Sequence, residues 1–102
     1  MHNLFLETVG DITDAGYSWP QDIDFIIGDG NKEVPIELFE LNSDREYDAG
    51  YGRAEVDQTL IIVMKDGNYF ERAEYDGAEW WELVETHIKR PTEKLDAYDP
   101  FY

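Results

Sequence analysis

Glu33, Glu37, Glu40, Asp44 and Asp48 recur at intervals of four, three, four and four residues, the spacing that stacks side chains on one face of an α-helix. Glu7, Asp11 and Asp14 repeat the four-three part of that spacing nearer the start of the chain. Rows of carboxylates can do two kinds of chemistry: they can pass protons as acid–base pairs, or they can accept charge-assisted hydrogen bonds from the Lys and Arg of a partner. With 24 Asp and Glu in 102 residues, close carboxylate pairs arise by number alone and say little about catalysis. Partner binding is the sharper reading. At about 1.5 Å rise per residue, successive carboxylates on such a helix lie roughly 4.5–6 Å apart along its axis. That is comparable to the charge density of a nucleic-acid backbone, so the row can imitate phosphates.

Other chemistry lacks a signature. There is no Cys, and the only imidazoles are His2 and His87, so no nucleophile–base pair has local support. No Gly-rich phosphate cradle of the P-loop or dinucleotide type is present. Asp29-Gly30-Asn31 with Glu33 offers oxygen donors, but without the alternating ligand spacing and terminal Glu of an EF-hand loop it reads as a turn. His87, close to Lys89 and Arg90, reads as a surface or capping residue. The expectation is a protein with no catalytic residues, no metal and no cofactor.

The partner's chemistry follows from the formal charge of -16. Such a field repels nucleic acid, anionic membranes and acidic substrates, and attracts a protein with a large basic groove. A modest acidic excess would serve solubility alone, but this one exceeds the magnitude of about 2–8 usual for a small domain. Like charges at helical spacing destabilise a helix by roughly 0.2–0.5 kcal/mol per pair, so folding by itself gives no reason for the rows. The chain is nevertheless no solvating tail, because 42% of its residues are hydrophobic and 15% aromatic. No segment approaches the roughly 20 apolar residues of a membrane-spanning helix. His2-Asn3-Leu4-Phe5-Leu6-Glu7 has no basic start of the secretory kind, so a soluble, cytoplasmic protein is expected.

Positioning these residues requires folded elements. Leu4, Val9 and Ile12 predict a helix over Asn3 to Ala15 that stops at Gly16. Asp22 to Ile27 predicts a strand closed by the turn Gly28-Asp29-Gly30-Asn31. Pro35 suits a helix start, and Ile36 and Phe39 supply the apolar side of a second helix of about three turns before Gly50-Tyr51-Gly52. Leu60 to Met64, Asn68 to Tyr75 and Glu79 to Glu85 are separated by Asp66-Gly67 and Asp76-Gly77, predicting a three-stranded antiparallel meander. The fold class is therefore α+β, with the sheet packed against two short helices. Residues 1–90 form a single domain, and 91–102 form an acidic-aromatic tail that either docks or stays free.

If both hairpins turn on Asp-Gly alone, Arg72 faces Trp81, Ala73 faces Trp80 and Glu74 faces Glu79. Adjacent tryptophans then project to opposite sides, one toward the helices and one into an aromatic patch rimmed by acid. The expected partner-binding surface combines the row Glu33 to Asp48 with the meander acids Glu71, Glu74, Asp76, Glu79 and Glu82. Tyr47, Tyr51, Tyr75 and Trp81 are its expected aromatic contacts.

In size, charge, lack of cysteine and acidic-aromatic texture, the chain resembles the small acidic DNA-mimic inhibitors of bacteriophages and mobile elements, including anti-CRISPR and antirestriction proteins. Its segment from Tyr69-Phe70-Glu71-Arg72 to Trp80-Trp81-Glu82 also looks like a stretch found in phage and prophage proteins. The resemblance implies an inhibitor that fills the cationic DNA channel or PAM-reading groove of a bacterial defence nuclease, a CRISPR–Cas effector or a restriction enzyme. A second expectation is an immunity protein that neutralises a nuclease toxin. Immunity would centre on a few aromatic anchors, whereas mimicry would spread binding over many carboxylates.

Overall fold

The computed structural model describes residues 2–48 and 52–102. In chain order its elements are β1 (His2–Asn3), α1 (Leu4–Asp14), β2 (Ile23–Gly28), β3 (Lys32–Val34), α2 (Ile36–Ser43), β4 (Glu46–Tyr47), β5 (Ile61–Met64), β6 (Tyr69–Tyr75) and β7 (Ala78–Val84). The larger sheet has five strands in the order β3-β2-β5-β6-β7, and every neighbouring pair is antiparallel. β1 and β4 form a separate antiparallel ribbon. The molecule is α+β, with β5, β6 and β7 as the expected meander.

Local chemistry explains the first helix. The Asn3 side chain accepts from the Leu6 N–H at 3.0 Å, satisfying one of the free donors at the helix start. Leu4, Thr8 and Ile12, four residues apart, are its buried line. Its end is closed by Gly16, whose φ of 94° an L side chain rarely adopts.

The second hairpin turns on Asp76-Gly77 with φ of 52° and 86°, the two positive values that a two-residue type I′ turn needs. Its register therefore follows the expectation, with Arg72 opposite Trp81, Ala73 opposite Trp80 and Glu74 opposite Glu79. The first hairpin does not turn on Asp-Gly alone. Val63 faces Tyr69 and the Met64 N–H donates to the Asn68 carbonyl, so Lys65-Asp66-Gly67 forms a three-residue loop with Gly67 at φ 97°. β3 is an addition to the expected sheet, formed as the chain folds back on β2 over Asp29-Gly30-Asn31.

Alternation along the strands divides the sheet into a front and a back. On the front, Ile26, Ile62, Phe70 and Trp81 join Leu4 and Ile12 of α1 and Phe39 of α2 in the main core. On the back, Phe25, Ile27 and Val63 make a smaller cluster covered by Ile88. Burial of each such side chain contributes roughly 1.5–3 kcal/mol, so the front face carries most of the fold's stability.

The second helix is shorter than its acidic pattern implies. α2 ends at Ser43, and Asp44 has non-helical φ and ψ of -80° and 66°. Asn42, Ser43 and Asp44 all bond readily to nearby backbone outside a helix, and the chain then leaves to pair β4 with β1. The row Glu33 to Asp48 therefore does not exist as one helical face. Glu33 lies in β3, Glu37 and Glu40 in α2, Asp44 at its end, and Asp48 beyond β4.

The C-terminal tail docks. Its chain makes a parallel bridge between Lys94 and Glu33 and an antiparallel bridge between Phe101 and Val56, and Tyr98 is buried in the main core.

Candidate functional site

Two charged side chains, Arg72 of β6 and Glu79 of β7, are wholly enclosed. Arg72 projects onto the front face, where its guanidinium bonds Glu7 of α1 at 3.0 Å, Glu79 at 2.9 Å and the Tyr47 hydroxyl at 3.0 Å. The Tyr47 hydroxyl in turn donates to Glu7. Burial and the Glu7 hydrogen bond push the Tyr47 phenol well above its ordinary value. Arg72 also lies over the Trp81 ring, 4.9 Å from its centre. The Trp81 indole N–H donates to Thr8 Oγ1 at 2.9 Å.

Glu79 therefore acts within the core. Besides Arg72, its carboxylate accepts from the Glu55 N–H at 2.7 Å, the Val56 N–H at 3.4 Å and Gln58 Nε2 at 3.1 Å, fastening the 55–58 loop to β7. Three expected contact residues are thereby corrected. Glu79, Trp81 and Tyr47 are buried and occupied inside the protein, because cross-strand and helix contacts turn them onto the front face.

Glu33 is likewise engaged internally. Both of its oxygens accept from Arg90, at 2.7 and 2.8 Å, and that pairing holds its carboxyl below the usual range. Glu40 is half-buried and accepts from the Trp19 indole at 2.8 Å, so of the α2 acids only Glu37 is fully exposed. Glu71, half-buried, and Glu82, exposed, face each other across β6 and β7 on the back of the sheet. Tyr75 is 76% exposed and Trp80 is 39% exposed on the same back surface, making Trp80 rather than Trp81 the outward tryptophan. Tyr51 lies outside the described residues.

Six exposed acids are linked by a chain of contacts toward the β6–β7 turn. Asp44 accepts from the Asn3 side chain at 2.9 Å, and Asn3 pairs in register with Glu46. The Asp48 N–H donates to Glu55 at 3.2 Å, and the Glu55 N–H donates to Glu79, which sits opposite Glu74. Beyond Glu74, the turn at Asp76-Gly77 packs so closely on Gly52 that a Cβ on Gly77 would lie 2.2 Å from the Gly52 carbonyl oxygen. Asp44, Glu46, Asp48, Glu55, Glu74 and Asp76 are thus gathered from three distant stretches of chain, and all six are exposed. Glu46 and Glu55 were not singled out from sequence, because the β1–β4 pairing and the Glu79 anchor that bring them there are long-range.

Few cations offset this end. Lys32, Arg45, Arg72 and Arg90 are each paired with a carboxylate of the same chain. Of the other four cations, Lys65, Lys89, Lys94 and Arg53, Arg53 is the one beside Glu55, in an open depression that it lines with Ala54, Glu55 and Tyr102. On α1, burial and then the neighbouring Glu7 and Asp14 raise the Asp11 carboxyl above its ordinary value. The row read in α1 is thus a real crowding of acids.

A second structural carboxylate, Asp57, secures the tail. It accepts from the Tyr98 hydroxyl at 2.7 Å, the Asp29 N–H at 2.8 Å, and the Thr59 N–H and hydroxyl at 2.9 and 2.6 Å. Burial alone would raise its pKa, but these donors outweigh it and hold the carboxyl below its ordinary value. Asp29 is thus tied into the fold through its backbone, and Glu33 through Arg90.

Among the described residues, no group of three or more His, Asp or Glu is placed to hold a metal ion. No helix there is long and apolar enough to cross a membrane. No protein-family model matches the chain, and neither the curated proteins nor the solved structures include a significant match.

Proposed function

We propose that this protein is a non-catalytic inhibitor that occupies the cationic nucleic-acid-binding surface of a bacterial defence nuclease, with carboxylates standing in for phosphates. It acts in this reading as a phage or mobile-element product in the host cytoplasm, against a CRISPR–Cas effector or a restriction enzyme. The observation that carries the proposal is the chain of contacts linking the exposed Asp44, Glu46, Asp48, Glu55, Glu74 and Asp76 toward the β6–β7 turn, while half-buried or buried acids serve the fold. Partner Lys and Arg that would otherwise exchange counterions with DNA would instead pair with these carboxylates.

Glu79 fastens the loop that carries Glu55 to β7, so that part of the acidic end is held in place before binding. The test is capture of proteins from a bacterial lysate on the immobilised chain, with duplex DNA as competitor. Capture of a nuclease that DNA displaces supports the proposal. Capture that DNA does not disturb favours the immunity reading, for which exposed Tyr75 and Trp80 are the available aromatic anchors.

A further inference from the structure

The two edges of the large sheet differ in a way that the charge reading does not use. At the β3 edge the chain covers itself: the Glu33 N–H donates to the Glu93 carbonyl at 2.7 Å, and the Leu95 N–H donates to the Glu33 carbonyl at 2.8 Å. At the other edge, β7 pairs with β6 alone. Its seven residues hold register with β6 from Ala78 to Val84 without a bulge. Exposed edges are blunted by Lys, Pro, a bulge, shortness or charged side chains. β7 has no Lys, Pro or bulge, and its inward Glu79 is neutralised by Arg72. Its outward charge, Glu82, is acidic and so repels acidic strands but not basic ones.

The turn geometry tells which backbone groups are open. A type I′ turn joins the Tyr75 carbonyl to the Ala78 N–H, and bonded pairs alternate from there along an antiparallel ladder. Ala78, Trp80, Glu82 and Val84 therefore bond to β6, while the N–H and carbonyl groups of Trp81 and Leu83 point outward. Among the described residues, no backbone bond outside the sheet reaches them.

Side chains along this edge have opposite character on the two faces. On the back stand Trp80, 39% exposed, and Glu82, with Glu71 behind it on β6. On the front stands Leu83, 41% exposed. A strand added here meets carboxylate and an indole face on one side and an aliphatic surface on the other.

We propose that β7 is a docking edge for an extended basic segment of a partner protein, one that alternates Lys or Arg with aliphatic residues. Its backbone bonds the open groups of Trp81 and Leu83, its cations lie beside Glu82, Glu71 and the Trp80 ring, and its aliphatic residues cover Leu83. Charge selects this occupant over a second copy, because two molecules of formal charge -16 repel each other on approach. The inference is independent of the inhibitor reading, since any partner bearing such a segment would fit.

The test is backbone hydrogen exchange of the whole chain at moderate ionic strength, with a short synthetic peptide of alternating Lys and Val as the probe. Exchange at the Trp81 and Leu83 amides is expected to slow on saturation, while that of Trp80 and Glu82 stays as it was. A peptide of the same sequence N-methylated at alternate residues should bind about tenfold more weakly, the loss expected for about two hydrogen bonds. Glu82→Lys, at an exposed site, should weaken binding through charge, and Leu83→Pro should do so by removing an outward N–H that the sheet does not use. Unchanged exchange at Trp81 and Leu83, or equal binding of the N-methylated peptide, overturns the proposal. Protection of those amides by self-association as salt is raised, with no peptide present, also overturns it in favour of a second copy.

Discussion

Removal of the Glu79 carboxylate is expected to cost the protein far more than removal of any acid at the proposed binding end. Glu79 and Arg72 are a fully enclosed ion pair. Leaving a buried charge uncompensated costs about 3–5 kcal/mol, and because Arg72 keeps Glu7 at 3.0 Å the loss on neutralising Glu79 falls toward the lower end of that range. Glu79→Gln should therefore lower the urea midpoint sharply, whereas Glu74→Gln, exposed near the end of β6 and keeping an amide oxygen that can accept from the Gly77 N–H, should change stability by no more than about 0.5 kcal/mol. Asp57 supplies a pH signature. Its folded pKa lies below the ordinary 3.8, so the carboxylate stabilises the fold above that value and the contribution is lost as pH falls through the folded pKa. Denaturation measured from neutral to strongly acidic pH should show a steep acid limb, and Asp57→Asn should flatten it while lowering stability at neutral pH. Tyr98 works in the opposite sense. Burial, with Asp57 beside it, raises its phenol above the ordinary 10.0, so the unfolded chain ionises first and stability declines as pH rises past that value.

The elements depend on one close approach. Gly77 combines a φ of 86° with a position where any Cβ would collide with the Gly52 backbone. Gly77→Ala should destabilise by more than about 1 kcal/mol and speed hydrogen exchange at Glu55 and Val56, whose N–H groups depend on the nearby Glu79. The elements that could be read from sequence are those specified locally. Asn3 and Gly16 bracket α1, and Asp76-Gly77 sets the register that places Trp80 and Trp81 on opposite faces. The charge row of the second helix misled because spacing alone cannot register that Asn42-Ser43-Asp44 ends a helix when a distant strand competes for the chain. The Arg72–Glu79 pair left a readable trace. Once Arg72 faces Trp81 and Glu74 faces Glu79, Arg72 and Glu79 are diagonal neighbours on one face, shared with Phe70 and Trp81. An Arg and a Glu on the same face as the core aromatics signal a buried pair. The acidic end was legible only in parts, as Asp44, Asp48, Glu74 and Asp76, because its assembly rests on contacts between residues far apart in the chain.

At the scale of the whole molecule, a formal charge of -16 must be carried by a core whose main packing is on one face of one sheet. Two exposed charges about 4 Å apart repel by only about 1 kcal/mol in water, so the fold tolerates the crowding, but the sum over many pairs is a real load. Salt shortens the screening length from about 10 Å at 0.1 M to about 3 Å at 1 M, so the melting temperature should rise with added sodium chloride. A flat salt response would mean that internal pairs such as Arg90 with Glu33 already neutralise the effective field. Function turns on whether the surviving surface charge is a recognition device. The decisive measurement compares lysate capture by the native chain with capture by a variant carrying Asp44→Asn, Glu46→Gln, Glu74→Gln and Asp76→Asn, each eluted with duplex DNA. DNA-displaceable capture of a nuclease by the native chain, lost in the folded variant, is the predicted result. Equal capture by both chains, or capture that DNA leaves untouched, would contradict phosphate mimicry at this end.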